Sequence, residues 1–445
     1  MGKVKPSPVL FRIDDILYFC SSEMDSTERG NSCMNSLLKE LQANDLAKGK
    51  KSMGYFNPNT ATICYPTGFP TLDYRLGYKV NSFDDKGNPY TYNNLGLTAG
   101  TYTLLIGKSS TGKTAAAVKI AGNIIRPFEN GMVLHFDNER AMNYTRIQAL
   151  TGFKREDILN RWILRQEKLT LDDMKASLYE LYKEKSEHKD QYLYNTGKRD
   201  EFGKEIILPV PTYVIIDSVA NISSGIEDLS IDKIEEVGSQ TDRLRLTGSV
   251  GRFFNEILNF LKEVNINLIC INHIKVNPQL GIIKSPSEML YLSNNESISG
   301  GRTHINLAHV FIKFTNVSSE KYDSSEEGFD GFKTRLTLIK SRTNSDGKNI
   351  ELIYDKITGH NMVRSTVDFA KDQGLISGNK NGYYFITDPD KNKFTLANMP
   401  QDFKDNPKLY KIMADAVNPI LEKDLAYVSD ESAEIAPEEL DYYNL

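Results

Sequence analysis

Residues Gly107 to Thr114 read Gly-Lys-Ser-Ser-Thr-Gly-Lys-Thr, the spacing G-x-x-x-x-G-K-T. Glycines at these two positions let successive backbone N–H groups turn inward around phosphate oxygens. A helix that starts at the end of the loop directs its positive end at the same anion. The pattern therefore assigns Gly107, Lys108, Ser109, Ser110, Thr111, Gly112, Lys113 and Thr114 to the phosphates of a nucleotide such as ATP. Within it, Lys113 reaches toward the β and γ phosphates and the Thr114 hydroxyl ligates Mg²⁺. The flanking residues suit this use. An apolar run, Tyr102–Gly107, precedes the loop, and a helical pattern with Ala117, Ala121, Ile124 and Ile125 on one face follows it.

Other residues able to act on a phosphate stand at the ends of apolar runs. Asp217 closes the run Tyr213–Ser218, where an acid at the carboxyl end of a parallel strand faces the ligand and can hold the Mg²⁺ shell. Glu139 lies just past Met132–Asp137, and a carboxylate there can orient and activate water, with Asp137 as its competitor. His273 ends Asn267–His273 and can hydrogen-bond a γ-phosphate, the alternative being a plain loop entry. Lys340 and Arg342 end another run. Residues two apart share a strand face, so the pair can neutralise transition-state charge, including that of a neighbouring subunit, or can be an ordinary exposed basic pair.

The elements that must position these residues are short apolar runs alternating with amphipathic helices from Tyr65 onward. Strands are expected at 102–107, 132–137, 213–218, 267–273, 309–314, 334–340 and 349–355, and a helix at 250–264. Such alternation builds a mostly parallel sheet covered on both faces. Two stretches read as insertions. Residues 78–95 hold a Gly-Asn-Pro turn between polar-aromatic arms, a hairpin pattern. Residues 166–211 open on an amphipathic helix (Leu171, Met174, Leu178, Leu181, Tyr182) and continue into a charged run expected to be a solvated excursion. The core then spans 61–358, a small α+β domain 359–428, and an acidic tail 429–445, with six acidic residues and no basic one, reads as disordered. Residues 1–60 are weakly patterned, with one helix expected around Met34–Leu46.

Gross composition narrows the class. The 445 residues carry 40% hydrophobic and 25% charged residues, as soluble globular chains do. No apolar run reaches the ~18 residues of a membrane span. The four cysteines form no C-x-x-C pair, so a zinc site or disulfide framework is not expected and a reducing cytosol is the default. A net charge of -5 rules out a surface coated in basic groups and leaves nucleic-acid binding to local loops.

Taken in order, "TGFPTLDYRLG" (67–77), the 107–114 loop, "FDNERAMN" (136–143), "VIIDSVANI" (214–222), "LICINHIK" (268–275), "SGGRT" (299–303), "KSRT" (340–343) and "GLISGNKNGYYF" (374–385) resemble the RecA strand-exchange recombinases, in particular the UvsX-like branch of phages. The resemblance runs from about Tyr65 to Phe385. It implies a RecA-like ATPase core with an N-terminal arm (1–60) that docks on the next subunit, and a small C-terminal domain. By it, Glu139 matches the catalytic glutamate, His273 stands where the bacterial family has a γ-phosphate-sensing glutamine, and Lys340 and Arg342 match a basic pair that reaches across a subunit interface. Tyr144 and Arg146 fall near the position where the family stacks an aromatic ring on adenine.

The resemblance also implies two DNA-binding loops, about 224–249 (Lys233, Arg243, Arg245) and 274–302 (Lys275, Lys284, Arg302), the acidic tail competing with DNA for them. The implied activity is that of a Mg²⁺-dependent, DNA-dependent ATPase. It forms filaments on single-stranded DNA and exchanges strands with a homologous duplex, with single-strand-binding and mediator proteins as partners. The setting is a cytoplasm, whether nucleoid or phage-infected host. The alternatives are a ring-forming replicative helicase of the same superfamily and a RecA-fold regulator that uses ATP to set its assembly state.

Overall fold

The computed structural model describes residues 63–167, 169–219, 240–276, 292–293, 295–300, 302–317 and 330–426, with side chains of 240–247 excluded. The expected arm, the helix near Met34–Leu46 and the acidic tail lie outside the described residues.

The apolar runs become strands Tyr102–Gly107 (β1), Met132–Asp137 (β2), Trp162–Arg165 (β3), Thr212–Asp217 (β4), Ile266–Val276 (β5), Glu296–Ile298 (β6), Val310–Asn316 (β7), Gly331–Ser341 (β8), Asn349–Asp355 (β9) and Gly359–His360 (β10). Among the described residues they form one sheet in the order β10-β9-β8-β7-β1-β5-β4-β2-β3, with β6 against the end of β5. From β7 to β3 the neighbours are parallel, and β8, β9 and β10 add antiparallel on the other side. Strand β3 was not expected. Its four residues run from Trp162 to Arg165, and so short a run carries little periodic signal.

Both sheet faces are covered, which is why the central strands carry apolar residues on both faces, with buried polar residues such as Thr103, His135 and Asn267 among them. In β4, Tyr213 and Ile215 enter one core while Val214 and Ile216 enter the other. The helices are Pro70–Leu76 (α1), Lys113–Ile125 (α2), Tyr144–Thr151 (α3), Arg155–Arg161 (α4), Leu171–Glu187 (α5), Gln240–Leu261 (α6), Arg302–Leu307 (α7), Met362–Asp372 (α8), Met399–Asp405 (α9) and Lys408–Leu421 (α10). Helix α2 covers one face and is buried well beyond the stripe expected of it, since Ala115, Ala116, Val118 and Ile120 are inside as well. Small side chains there let the helix lie close to the sheet. Helices α5 and α6 cover the other face.

Helix α5 starts on a capping box. Thr170 Oγ1 accepts from Asp173 N at 3.2 Å, and the Asp173 carboxylate accepts from Thr170 N at 2.9 Å. Leu171, Met174 and Leu178 then point inward, with Leu178 fully buried. Leu178→Ala is expected to lower unfolding stability by about 3 kcal/mol, through lost transfer energy and the cavity left behind. Leu159→Ala, at a 57% exposed site, is expected to change it by less than about 0.5 kcal/mol. Urea melts of both variants test the contrast.

The two insertions pack on each other. Residues 78–94 form the expected hairpin, Tyr78–Phe83 against Pro89–Asn94. The charged run, 183–205, is largely exposed, as expected, but ordered: it completes α5, and Leu193–Arg199 then pairs with Glu205–Pro209 as a second hairpin. Ser82 Oγ donates to Asp200 O at 2.7 Å, Tyr92 Oη donates to Arg199 O at 3.0 Å, and Lys198 Nζ sits 4.8 Å over the Tyr92 ring. Composition alone cannot reveal this, because Lys198 and Arg199 meet Tyr92 and Asp85 about a hundred positions away.

Beyond β10, helices α8, α9 and α10 and the hairpin Ile376–Asn379/Gly382–Phe385 share a core of Phe385, Phe394, Phe403, Leu409, Val417 and Leu421, which Tyr74 of α1 joins.

Candidate active site

Strand register sets the candidate residues in a row. Asp137 of β2 pairs with Asp217 of β4, Asp217 with Ile271 of β5, and His273 of β5 with Gly107 at the end of β1. Two acids, a histidine and the phosphate loop thus share one edge of the parallel sheet, at the carboxyl ends of its strands, where open α/β sheets bind ligands.

The loop has the backbone its glycines require. Gly112 has φ +85°, and a Cβ there would lie 2.8 Å from His360 Nε2 and 3.0 Å from the Tyr354 ring. His360 Nε2 donates to Gly112 O at 3.1 Å and is fully buried, and burial pulls its imidazole down to about 4, so it is a neutral donor. Gly112→Ala is expected to weaken nucleotide binding by about tenfold or more, from left-handed strain plus the collision with His360. Titration with a fluorescent ATP analogue, alongside a melt to verify folding, measures this.

Lys113 Nζ lies inside the loop and donates to Lys108 O at 2.7 Å. Burial lowers its amine to about 8, against the raising influence of Asp217 and Glu139. Thr114 Oγ1 donates to Asp217 Oδ2 at 2.6 Å. Burial raises the Asp217 carboxyl to about 7, with Glu139 and Asp137 adding to the rise and the Thr114 hydrogen bond and Lys113 opposing it.

The buried Asp217 Oδ1 and Ser218 Oγ have no hydrogen-bond partner, nor does Asp137 Oδ1 beside them. Orphaned buried oxygens beside the Gly107–Thr114 loop would suit a hydrated Mg²⁺. Among the described residues no three His, Cys, Asp or Glu side chains gather as a metal cluster, so Thr114 and Asp217 would share such an ion with phosphate oxygens.

Glu139 and Asp137 have different surroundings. Asp137 is fully buried, and its Oδ2 accepts from Met142 N at 2.8 Å and Gln166 Nε2 at 2.7 Å, which fixes the turn after β2. Glu139 Oε1 instead accepts from His273 Nε2 at 2.6 Å. The adjacent Asn272, fully buried, accepts from His273 N at 2.8 Å and donates to Ser299 O at 2.9 Å. It thereby ties the strand tip to the segment before α7. Sequence reading missed Asn272, Gln166, Tyr354 and His360. Only Asn272 carried a signal, as the residue beside His273.

Lys340 and Arg342 come together, both donating to Asn306 O, at 2.6 Å and 3.3 Å. They are remote from the loop of their own chain. Arg342 N bonds His309 O, and His309 N bonds Tyr102 O at the start of β1. Gly107 is five residues further, about 16 Å along the strand. Among the described residues neither cation has an ion-pair partner.

Arg146 is otherwise engaged. Its guanidinium donates to Lys356 O at 2.9 Å, Ile357 O at 2.6 Å and Tyr354 Oη at 3.0 Å, bracing the turn between β9 and β10. Its N–H groups are thereby engaged, whereas Tyr144 is 47% exposed.

The expected DNA loops need revision at their borders. Arg243 and Arg245 fall within helix α6, which begins at Gln240, so they are not loop residues. Lys275 is on β5, whose end pairs with β6, and Arg302 opens α7. Lys233 and Lys284 lie outside the described residues.

No helix among the described residues is long and apolar enough to cross a membrane. No protein-family model matches the chain, and no curated protein matches it.

Proposed function

We propose that the chain is a Mg²⁺-dependent ATPase that assembles as a filament on single-stranded DNA and pairs it with a homologous duplex. The observation that carries the ATPase part is the row of Asp137, Asp217, His273 and Gly107 at one sheet edge, with Lys340 and Arg342 at the opposite edge. A site with its phosphate loop at one end and unpaired cations at the other is complete only when two copies stack head to tail. Repetition of such a heterologous contact gives a ring or a helix.

In this reading Lys113 and the loop N–H groups bind the β and γ phosphates, Glu139 takes the proton of the attacking water, and Asp217 with Thr114 holds Mg²⁺. The metal's contribution is to offset charge on the phosphate oxygens. His273 Nε2 can donate either to Glu139 or to a γ-phosphate, and Asn272 passes its position on to Ser299. Loss of the γ-phosphate would then be felt by the segment between β5 and α7. DNA pairing rests on the motif resemblance alone.

The deciding measurement is ATP turnover with and without single-stranded DNA, followed by electron microscopy. Helical filaments with DNA-stimulated turnover support the proposal. Rings that unwind a fork favour a helicase, and turnover indifferent to DNA favours a regulator.

A further inference from the structure

A cleft of about 460 Å³ opens between α5 and the sheet at β2, β3 and β4, far from the phosphate loop. It takes in Met132 and Thr212, the first residues of β2 and β4, each five residues before the acid that ends its strand. That separation is about 16 Å. The volume suits a small organic ligand.

Lys185 lines this cleft although it is only 2% exposed. Its Nζ donates to Val210 O at 2.7 Å and to Thr212 Oγ1 at 3.1 Å, both neutral acceptors. Among the described residues no carboxylate pairs with it. Two of the three ammonium N–H groups are so taken, and the Tyr192 ring, its centre 6.0 Å from Nζ, is a weak partner that a charged acceptor for the third would outdo. Burial alone lowers its amine to about 7. A buried cation without a counter-ion is costly, and the group that would relieve the cost is an anion.

Two other features narrow the anion. Met132, Leu134, Ile163 and Leu181 give the cleft an apolar wall. Glu180 and Glu184 also line it and oppose a doubly charged group, while Arg165, which could offset them, is engaged with Glu167 at 2.9 Å and Ser177 at 2.8 Å. We propose that this cleft binds small monocarboxylic acids with a hydrocarbon body, the carboxylate on Lys185 Nζ and the chain against Met132, Leu134, Ile163 and Leu181. The site is independent of the nucleotide reading and stands or falls separately.

The test is isothermal titration of the full chain with hexanoate, with hexanol and hexyl phosphate as comparisons. Hexanoate is expected to bind one molecule per chain, with hexanol, hexyl phosphate and the Lys185→Met variant each weaker by about tenfold or more. No binding up to about 10 mM hexanoate, equal binding of hexanol, or undiminished binding by a folded Lys185→Met chain overturns the proposal. Should Lys185→Met not fold, acetic anhydride labelling of the unmodified chain decides. Hexanoate, and not hexanol, is expected to suppress acetylation at Lys185 as read by mass spectrometry, and unchanged labelling overturns the site.

Discussion

Glu139→Gln is expected to slow ATP hydrolysis by about 10²- to 10⁴-fold, the range lost when a positioned general base is removed. The substitution is nearly isosteric and keeps an acceptor for the His273 imidazole, which now lies 2.6 Å from the carboxylate. What it removes is basicity. Nucleotide affinity, which in the proposed reading depends on the loop and Lys113, is expected to stay within about threefold, because there Glu139 would act on water and make no ground-state contact that ATP needs. ATP-dependent DNA binding should persist, and filaments should become longer lived. Single-turnover hydrolysis and equilibrium nucleotide binding separate the two effects. If Glu139→Gln turns over normally, the water must be activated elsewhere, and Asp137 would be next. That acid already accepts from Met142 N, in the turn after β2, and from Gln166 Nε2, just past β3, so Asp137→Asn is expected to disturb folding more than chemistry.

Much of this site was legible because each of its residues is read locally. Gly107 to Thr114 carries its own spacing, and Asp217, Glu139 and His273 each follow a short apolar run whose end marks the sheet edge. The apolar strands were equally plain, since burial on two faces leaves only a few polar positions, such as Thr103 and Thr212, within them. What escaped is what depends on distant partners. Arg146 sits where an adenine contact is expected in sequence, yet Lys356, Ile357 and Tyr354 claim its guanidinium from 208 to 211 residues away. Lys185 belongs to a run that reads as solvated, and only the fold brings Val210 and Thr212 to its amine. Arg243 and Arg245 were given to a loop by analogy. The hydrophobic pattern of α6 becomes strong only near Val250, but the helix continues upstream to Gln240, past the point where periodicity could reveal it.

Arg342→Ala is expected to reduce hydrolysis by about 10³-fold or more while each chain still binds ATP, the size of effect seen when a transition-state arginine is lost. The argument is geometric. In β8, Lys340 pairs with Phe311, which pairs in turn with Leu104 of β1, so the basic pair lies toward the start of the strand whose end carries the phosphate loop. An arginine side chain cannot close the remaining distance along the sheet to its own γ-phosphate. Burial, together with Arg342 beside it, lowers the Lys340 amine against the raising influence of Asp346, and burial, helped by Arg342, Lys262 and Lys340, lowers the His309 imidazole to about 4. Positive charge is thus concentrated at a surface where Asp346 acts on Lys340 but no ion pair forms among the described residues, and in the proposed assembly a neighbouring protomer's triphosphate would be the further anion. Lys113→Ala, by contrast, disables the phosphate loop and leaves the basic pair intact. Mixing the two inactive proteins therefore distinguishes action across an interface from action within a chain. In a random equimolar assembly roughly a quarter of junctions join an intact loop to an intact Arg342, and turnover should recover to about that fraction of the unmodified protein. No recovery in assemblies shown to contain both chains would mean that Arg342 serves no neighbour. Recovery should also vanish on dilution below the assembly concentration, since a site divided between two protomers cannot outlast their contact.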